Sequence, residues 1–574
     1  MRGQKEDAAK TARIIRAARG VEPLDTIIAN GKVVSVFTGE MIECDVGIKD
    51  GVIATLDAKG LGSAETVDVR GMFVAPSFID GHIHIESSML CPERFAEAVV
   101  PRGTGAGVSD PHEIANVLGV PGVLYMERAS KSLPMDFYFT LPSCVPATSL
   151  ETSGASISSC DIRKLMELLP GSPALSEMMN FPGVLFCDGE VLEKIAAAKA
   201  GGLKIDGHAP MLSGRALDAY LSAGISTDHE STTKEEVLEK LRKGCFILAR
   251  EGSASKNLEE TLKALDRFSL GRAAIVSDDR HPGSLLEEGH LDASLRKAVK
   301  AGLDPVEALR LVTINPALAF GLSGKGAVAP GYYADLAILE DLASFKAISV
   351  FHKGRLAARD GKLMRELSVL EEKSVLSSVT LPADLEAKLV YPEKGSVRVI
   401  KVFPEQILTK KETARVSDAA CGAINLAAVI ERHGKNGNVG VGFVSGFNLK
   451  AGAIASTVSH DSHNIVAVGT SAGEIAFAAR SVAEIGGGYV VVKNGEVLAR
   501  LPLEVAGLMS REPAAKVASA LKDLHEKAAS LGTTLPSPLM TMSFIALPVI
   551  PELRLTDKGL VDVGKFDFVP LKAE

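Results

Sequence analysis

The sequence predicts an α/β protein: a (β/α)8 TIM barrel with a flanking small β-sheet domain and an additional C-terminal α+β domain. Its 574 residues exceed the roughly 250–300 at which a single core stops growing, so we expect several domains. Apolar β-rich runs alternate with helical patterns over residues 75–325, which indicates βα units and a parallel sheet. Short glycine-punctuated runs lie on both sides of this region.

The flanking runs predict one domain that the barrel interrupts. Residues 1–74 predict an N-terminal helix and the first part of this small β-sheet domain. The runs "TIIANGKVVSV" and "CDVGIKDGVIATL" contain Asn-Gly and Asp-Gly pairs, which tolerate the positive φ of tight hairpins. A similar pattern over residues 326–370 predicts the second part of this domain.

Residues 75–325 contain eight candidate strands, and helical patterns separate them. In a (β/α)8 barrel the functional side chains lie at the C-terminal ends of such strands, and polar residues cluster there in this sequence. The candidate strands are "FVAPSFIDGHIH", "GTGAGVSDPHE", "DFYFTLPSCVP", "SPALSEMMNF", "LKIDGHAP", "GISTDHE", "CFILARE" and "AAIVSDD". Residues 371–574, where valine- and glycine-rich runs alternate with helices, predict the separate α+β domain.

Composition indicates which class of partner the protein binds and in which cellular compartment it is expected. The net charge of −8, without an extended basic block, argues against nucleic acid or an anionic membrane as the main partner. A small or metal-complexed ligand is expected instead. Seven cysteines without a C-x-x-C pair indicate a reducing compartment. Because the N-terminus has no signal-like apolar segment, a cytoplasmic protein is expected.

Six candidate metal ligands lie at the ends of five predicted strands, the first, fourth, fifth, sixth and eighth. In "HIH", residues i and i+2 of a strand point the same way and aim both imidazoles at one point. This dipeptide alone is weak evidence, because such a pair is more often two polar residues that end an ordinary strand. The further strand-end residues favour a metal site, since these ends converge in a closed barrel. The candidates are His82, His84, Glu177, His208, His229 and Asp278.

The types of ligand indicate the kind of metal. Imidazoles and carboxylates without a thiolate suit Zn²⁺, Fe²⁺ or Mn²⁺. Six ligands overfill a four-coordinate site that keeps a position for water, so a pair of ions bridged by a carboxylate is favoured. Glu177 is expected to be that bridge.

Several motifs together resemble the amidohydrolase superfamily, and most closely its bacterial-type adenine deaminases. They are "FIDGHIHIESS", "EMMNFPG", "GHAP", "DHES", "SDDRHP", "TINPALAFGL" and, near the C-terminus, "GGGYVVVKNGEVLARLPLEVAGLMS". The resemblance implies hydrolysis of adenine to hypoxanthine and ammonia in purine salvage. It also implies a (β/α)8 barrel with a flanking small β-sandwich domain, a pair of divalent manganese or iron ions, and a homodimer.

The resemblance further implies how the ligands are shared. His82, His84 and Asp278 would hold one ion and His208 and His229 the other, with Glu177 between them. Many relatives have a carboxylated lysine on the fourth strand instead. The stretch "SPALSEMMNFPG" contains no lysine, which supports the glutamate version.

The expected reaction assigns two catalytic residues. A metal-bridged hydroxide would attack C6 of the purine, because bound cations lower the pKa of water toward about 7. Asp278 would accept the proton and relay it to a ring nitrogen or to the departing amine. Glu113, in "SDPHEIAN", is the candidate acid for the ring nitrogen; alternatively it is an acid favoured by the start of a helix.

Four further residues are predicted to bind substrate. Glu86 would accept hydrogen bonds from the N–H groups of adenine. In the cyclic-amidase branch this position resembles the arginine of "HxHxR", which binds a substrate carboxylate. Alternatively, Glu86 is a loop acid in water. Asp279 would bind the purine or orient His281, and either aspartate of "SDDRH" could be the metal ligand. Asp278 is chosen because deaminases of the superfamily typically place the ligand first. Ser87 and Ser88 are expected to cap the next helix.

The remaining two predicted substrate contacts, His460 and His463, lie in the C-terminal domain. "STVSHDSHNIV" contains His460, Asp461 and His463. This cluster could close the pocket over the barrel, bind a further metal, or form a structural turn. Pocket closure is the favoured interpretation, because it would exclude water and position the substrate.

Three other functions compete with adenine deamination. A cyclic-amide hydrolase would share the barrel and the metals, but Glu86 in place of arginine counts against it. A compact zinc deaminase would need a P-C-x-x-C motif, which does not follow "HIE". A non-catalytic metal- or nucleobase-binding homologue would bind metal without turnover.

Overall fold

The computed structural model describes residues 2–253, 255–404, 406–419 and 421–573. The chain begins with one helix, which packs on the first strands through a small cluster that includes Ala17, Leu24 and Ala58. The elements before the barrel are α1 (Arg2–Ala18), β1 (Leu24–Val34), β2 (Met41–Lys49), β3 (Val52–Thr55), β4 (Ser63–Asp68) and β5 (Phe73–Pro76).

Each of the eight predicted barrel runs contains a strand. Apolar side chains alternate with glycine and polar residues in these runs, and the apolar ones fill the interior, among them Ile79, Val108 and Val276. The strands are β6 (Phe78–Ile83), β7 (Thr104–Ser109), β8 (Asp136–Phe139), β9 (Ala174–Met178), β10 (Lys204–Gly207), β11 (Thr227–Asp228), β12 (Phe246–Arg250) and β13 (Ala273–Val276).

These strands pair in parallel and in sequence order. They form the groups β6–β7–β8, β9–β10 and β11–β12–β13. A parallel bridge from Leu141 to Leu175 joins the first group to the second. Ser226 donates its backbone N–H to the oxygen of Ile205 at 3.1 Å and joins the second to the third. A bridge from Ile83 to Asp278 returns to β6, so the eight strands form a ring and the mixed α/β fold is confirmed.

Helices connect these strands and surround them. Several begin with a clear cap; in α5, Ser158 and Asp161 bond each other's backbone N–H groups, an arrangement that satisfies the free donors of a first turn. The helices are α2 (Pro92–Val99), α3 (His112–Leu118), α4 (Val120–Ser130), α5 (Ser159–Leu168), α6 (Phe181–Leu185), α7 (Gly189–Ala200), α8 (Gly214–Ser222), α9 (Lys234–Arg242), α10 (Leu258–Leu262), α11 (Pro282–Glu287), α12 (Leu291–Lys300), α13 (Pro305–Leu311) and α14 (Ile314–Phe320).

After the barrel the chain returns to the first sheet. The antiparallel pair of β5 with β14 places Ala75 opposite Ala337. The two flanking segments thus share one nine-stranded sheet, with the path β17-β16-β15-β14-β5-β1-β2-β3 and β4 beside β1. The returning strands are β14 (Leu336–Leu339), β15 (Ala347–His352), β16 (Arg355–Arg359) and β17 (Lys362–Leu363).

The C-terminal part combines a sheet with helices. Eight strands form one sheet in the order β19-β18-β21-β20-β23-β22-β24-β25, and β26, β27 and β28 form a small separate sheet. The helix Ala472–Glu484 packs Ile475 and Ala479 against the larger sheet. The strands are β18 (Ser396–Lys401), β19 (Lys410–Arg415), β20 (Ile424–Ile430), β21 (Val439–Ser445), β22 (Ala453–Ser456), β23 (Ile465–Gly469), β24 (Gly488–Lys493), β25 (Glu496–Pro502), β26 (Leu553–Thr556), β27 (Gly559–Asp562) and β28 (Asp567–Phe568). The helices are α15 (Leu385–Lys388), α16 (Ala472–Glu484), α17 (Ala514–Ser530) and α18 (Pro538–Phe544).

Within the ranges that the structure describes, no helix has the length and apolar character needed to cross a membrane.

Candidate metal and substrate site

Glu177 stands at the centre of the polar cluster in the barrel mouth. It ends β9 and is buried. Its Oε1 lies 3.3 Å from Nε2 of His84. Its Oε2 lies 2.6 Å from Nδ1 of His208 and 3.2 Å from Nε2 of His229. The two oxygens of one carboxylate therefore face two different groups of imidazoles.

The first group combines the end of β6 with the residue pair after β13. Nε2 of His82 and Nε2 of His84 are 3.2 Å apart, as expected for neighbours on one face of a strand. Oδ1 of Asp278 lies 3.3 Å from Nε2 of His84 and 3.8 Å from Nε2 of His82. The backbone of Asp278 also bonds β6, because its N–H donates to the oxygen of His82 at 3.0 Å.

The second group comes from the ends of β10 and β11. Nδ1 of His208 and Nε2 of His229 are 3.3 Å apart, and both face Oε2 of Glu177. The structure thus brings together all six predicted ligands in two sets, His82, His84 and Asp278 in one and His208 and His229 in the other, with Glu177 adjoining both.

Burial and neighbouring charges act in opposite directions on the two carboxylates of this cluster, Glu177 and Asp278. Burial alone would raise the pKa of Glu177, but His208 and His229 hold it well below its usual range. Burial likewise opposes ionisation of Asp278, whereas His84 and Arg250 hold its pKa well below the ordinary value. Both carboxylates are therefore ionised, which is the form that binds cations.

Three supporting residues were missed by the sequence analysis. Oδ2 of Asp206 lies 2.9 Å from Nδ1 of His82 and turns Nε2 of that ring toward the cluster. The guanidinium Nη1 of Arg250 lies 2.9 Å from Oδ2 of Asp278 and also pairs with Glu230. Asp206 and Arg250 lie in the predicted strand runs "LKIDGHAP" and "CFILARE", but no spacing rule relates them to residues of other strands.

Asp110 and His112, after β7, were also missed. Nδ1 of His112 lies 3.1 Å from Oδ2 of Asp110 and 3.6 Å from Oε1 of Glu177. Both side chains are buried. The motif "SDPHE" was noted for Glu113 alone, although an aspartate and a histidine at the end of a barrel strand carry the same signal as the chosen ligands.

A cavity of about 60 Å³ lies where the barrel mouth meets the C-terminal part. From the barrel it is lined by Ser87, Met89, Asp279 and His281. Oδ1 of Asp279 accepts a 2.5 Å hydrogen bond from the Ser87 hydroxyl. Asp278 therefore joins the histidine cluster while Asp279 faces the cavity, which distinguishes the two members of "SDDRH". The other wall consists of Val458, His460, Tyr489, Leu521, His525, Ser537, Leu539, Met540, Ser543 and Phe544.

Glu113 connects the barrel to the C-terminal part. Its Oε1 lies 3.1 Å from Nδ1 of His460, and its Oε2 lies 3.0 Å from Nε2 of His463. Burial opposes ionisation, but these imidazoles hold the pKa of Glu113 well below its usual range. Burial also opposes protonation of His460, yet Glu113 raises its pKa to about 9. The proton of this pair therefore resides on His460 and not on Glu113, in contrast to the protonated glutamate expected from sequence.

His460 and His463 differ in their exposure to the cavity. The His460 ring lines it and stacks on Phe544, with ring centroids 4.7 Å apart. His463 is fully buried behind it and is not among the described residues that line the cavity. The placement of His460 agrees with pocket closure by the C-terminal part.

Glu86 and its neighbours differ from expectation. Residues Ile85–Ser88 form a 3-10 turn, which turns Glu86 back toward α3, where its Oε1 accepts the N–H of Ile114 at 3.2 Å. Glu86 is buried rather than in water, and it is not among the described residues that line the cavity. Burial and Glu113 raise its pKa to about 7. The capping prediction for Ser87 and Ser88 is wrong: their hydroxyls donate to Asp279 and to the oxygen of Ile85, and the N-cap residue of α2 is Cys91.

Comparison with known proteins connects this geometry to a family. The model of the amidohydrolase family matches residues 73–357, and that of the adenine deaminase C-terminal domain matches residues 405–567. An adenine deaminase of Desulfatibacillum aliphaticivorans is 44% identical over 97% of this chain and 99% of its own length. Adenine deaminase 2 of Carboxydothermus hydrogenoformans is 45% identical, with the same coverage. An adenine deaminase of Methanothrix thermoacetophila is 44% identical over 98% of this chain and 99% of its own length.

Proposed function

Because the chain belongs to the adenine deaminase family of amidohydrolases and is a hydrolase acting on adenine, we propose that six side chains at the barrel mouth hold two divalent ions for this reaction. The observation that carries the proposal is the position of Glu177 between two sets of ligands. The reaction converts adenine and water into hypoxanthine and ammonia. Each residue's role below is part of the proposal.

The donor set fits a pair of divalent cations. Nε2 of His82 and Nε2 of His84 face each other at 3.2 Å, an arrangement in which at least one lone pair needs a proton or a cation. Two ligand atoms about 2.1 Å from one ion lie roughly 3.0–3.6 Å apart, which matches this separation and the 3.3 Å from His84 to both Glu177 and Asp278. Nitrogen and oxygen donors suit Mn²⁺, Fe²⁺ or Zn²⁺; we propose manganese or iron, with zinc as a substitute.

When bound, such ions lower the pKa of water and so supply a nucleophile at neutral pH. Asp278 is placed to take the proton that this water releases. Its Oδ1 faces the ligand cluster, and Arg250 holds Oδ2 at 2.9 Å. Because Arg250 is itself held by Glu230, the carboxylate has one fixed orientation. The oxygen of this water then adds to C6 of the purine.

Loss of ammonia needs protons at two places. The ring nitrogen that gains electrons on attack must be protonated, and N6 must leave as ammonia when the C6–N6 bond breaks. We propose that Glu113 acts in the first transfer together with His460, which carries the proton and faces the cavity. Asp278 returns its proton to N6. As the C6–N6 bond breaks, the added oxygen releases its remaining proton to solvent and becomes the carbonyl of hypoxanthine. His460 regains a proton from solvent, so no net proton is gained or lost.

Substrate recognition is assigned to the cavity wall. Asp279 accepts hydrogen bonds, which suits the N–H groups of adenine, and Ser87 fixes its orientation. His460 offers a flat ring and a proton. Glu86 and His463 support Glu113 and α3 from behind, and we propose that they act on substrate through those residues. The C-terminal part thus closes the site and excludes water.

Several further properties belong to the proposal. We propose that the chain is a cytoplasmic homodimer in purine salvage, and that its only required partner is the small purine substrate, without nucleic acid or membrane. We also propose the domain limits 1–74 with 326–370 for a small β-sandwich domain, 75–325 for the barrel and 371–574 for the α+β domain. The sheet shared by β5 and β14 supports the first of these assignments.

The test follows ammonia release from separate substrates. The protein is purified with Mn²⁺ or Fe²⁺ supplied, freed of unbound metal, and given adenine, adenosine or a cyclic amide. Glu177→Ala is measured alongside, with metal content determined in every sample. We expect ammonia from adenine only and loss of both metal and activity in the variant. About two bound ions without ammonia from adenine would overturn the proposal in favour of a cyclic-amide hydrolase or a non-catalytic binding protein.

A further inference from the structure

A second group of buried donors adjoins the proposed metal pair. It contains His84 and Glu177, which the pair already uses, and Asp110 and His112, which the pair does not use. One ligand atom of each residue lies within 4.8 Å of all the others. Building on the proposed function, we infer that Asp110 and His112, together with Glu177, form a third divalent-metal site beside the pair.

Two buried atoms of this group have no hydrogen-bond partner among the described residues. They are Oδ2 of Asp110 and Nδ1 of His112. They lie 3.1 Å apart without the geometry of a hydrogen bond between them. Leaving such atoms unsatisfied in the interior costs about 1–3 kcal/mol each. Two atoms that share one cation at about 2.1 Å would have this separation.

The Asp110 side chain is held so that Oδ2 stays available. Its other oxygen, Oδ1, accepts the hydroxyl of Ser176 at 2.7 Å and the backbone N–H of His112 at 3.1 Å. His112 begins α3, and its ring packs edge-on against that of His84, with ring centroids 4.7 Å apart. Both side chains are almost fully buried, with 1% and 4% of their surfaces exposed. The two donors are therefore preorganised toward one point.

Glu177 supplies the third ligand. Its Oε1 lies 3.6 Å from Nδ1 of His112 and 3.3 Å from Nε2 of His84. This oxygen stands between the His82–His84 set and the new site, and a carboxylate oxygen can bind two cations at once. Three protein ligands leave room for water, and an N/O set without sulfur selects Mn²⁺, Fe²⁺ or Zn²⁺.

A similar cluster elsewhere shows what distinguishes this one. Asp136, Asp335 and His352 also gather ligand atoms, but Nζ of Lys325 contacts both carboxylates there and Lys353 contacts the first. An ammonium group already supplies the positive charge. Within the described part of the chain, no lysine or arginine nitrogen lies within 4.0 Å of the Asp110 carboxylate, whose ion-pair contact is His112. The positive charge at Asp110 must come from a proton or a metal ion.

The test counts bound metal directly. Full-length protein is stripped with a chelator and dialysed against rising concentrations of free Mn²⁺, and manganese per chain is measured by atomic emission. Wild type is compared with His112→Ala and Asp110→Asn. His352→Ala serves as the matched control, because it removes one imidazole from the cluster that a lysine already fills. Thermal unfolding of each variant verifies the fold.

We expect wild type and His352→Ala to bind three ions, the third more weakly than the first two. His112→Ala and Asp110→Asn should bind the third at least tenfold more weakly. Saturation of wild type at two ions, or a third ion that both variants retain unchanged, would overturn the inference. If His112→Ala loses more than one ion, Asp110→Asn decides the outcome, since it keeps the size of the side chain.

The same samples keep this inference separate from the proposed function. Adenine turnover is measured at two and at three ions per chain. A third ion that depends on Asp110 in protein without adenine turnover would sink the proposed function and leave the third site standing. Turnover with wild type saturated at two ions would do the reverse.

Discussion

Oδ2 of Asp206 lies 2.9 Å from Nδ1 of His82 and thereby fixes which ring nitrogen points into the proposed metal site. Asp206 is itself immobilised, because its Oδ1 accepts the N–H of Gly207 at 2.9 Å and the Thr227 hydroxyl. A carboxylate behind a metal-binding histidine orients the ring and raises its basicity. Three barrel strands thus cooperate to aim one imidazole.

We predict that Asp206→Asn weakens metal binding by about 10–100-fold, the usual cost of losing such a partner. The amide keeps the size of the side chain but removes its charge. Equilibrium dialysis against Mn²⁺ measures the effect on affinity. Glu167→Gln, on the exposed face of α5, is the control. Unchanged affinity in Asp206→Asn would show that His82 is oriented by the backbone alone.

We predict that Glu113→Gln lowers kcat for adenine by about 10²–10⁴-fold, the range of general acid–base contributions. The substitution removes the negative charge that keeps His460 protonated, so the proposed proton donor is lost. Metal content should stay that of wild type, because the nearest contacts of Glu113 are His460 and His463. An altered KM with unchanged kcat would instead indicate a role in binding only.

We predict that Lys240→Met destabilises the protein by about 3–5 kcal/mol, the cost of leaving a buried charge without its partner. The Lys240 side chain is fully buried, and Nζ lies 2.8 Å from Oδ2 of Asp228 and from the oxygen of Ala209. Thermal unfolding followed by circular dichroism measures the loss. Lys243→Met is the control, since that side chain pairs with Asp218 and Glu239 near water; its Tm should stay close to that of wild type.

We predict a pH-dependent effect for Glu151→Gln. Burial, Asp461 and Asp557 raise the pKa of Glu151 to about 8. Because an unfolded glutamate ionises near pH 4.3, the folded state binds more protons between these values, and the contribution of this group is lost as the pH rises through about 8. The variant has no such loss. Its Tm should rise relative to wild type by about 2 °C or more between about pH 5 and about pH 8.

The check compares Tm values of Glu151→Gln, wild type and the exposed control Glu167→Gln at both pH values. A constant difference between Glu151→Gln and wild type would contradict a raised pKa at Glu151. A pH-dependent difference in the control would trace the effect to general charge rather than to this buried group.

The barrel strands and the six clustered side chains could be predicted because their signals are local. Each strand is a short apolar run, and His82, His84 and Asp278 each lie at or just beyond the end of one. Asp206 and Arg250 could not be assigned, because their importance depends on which side chain of a neighbouring strand they meet. The turn at Ile85–Ser88 is likewise decided by tertiary packing, which is why Glu86 faces α3 instead of the cavity.

The C-terminal part shows the limit of local patterns more clearly. His460 and Glu113 lie far apart in sequence, and no periodicity relates them, so the pattern of "STVSHDSHNIV" predicts no partner for His460, whereas in the structure the two side chains are 3.1 Å apart. The direction of the shared proton also follows from burial and neighbouring charge. Neither quantity is encoded by spacing.

The pairing of β5 with β14 has a consequence for synthesis on the ribosome. The whole barrel is translated between these two strands. The edge of β5 that faces away from β1 therefore has no partner until residues near 339 have left the exit tunnel. An unpaired strand edge is a template for association with other chains. Nascent chains that pause within the barrel are therefore the population most exposed to aggregation and most dependent on chaperones.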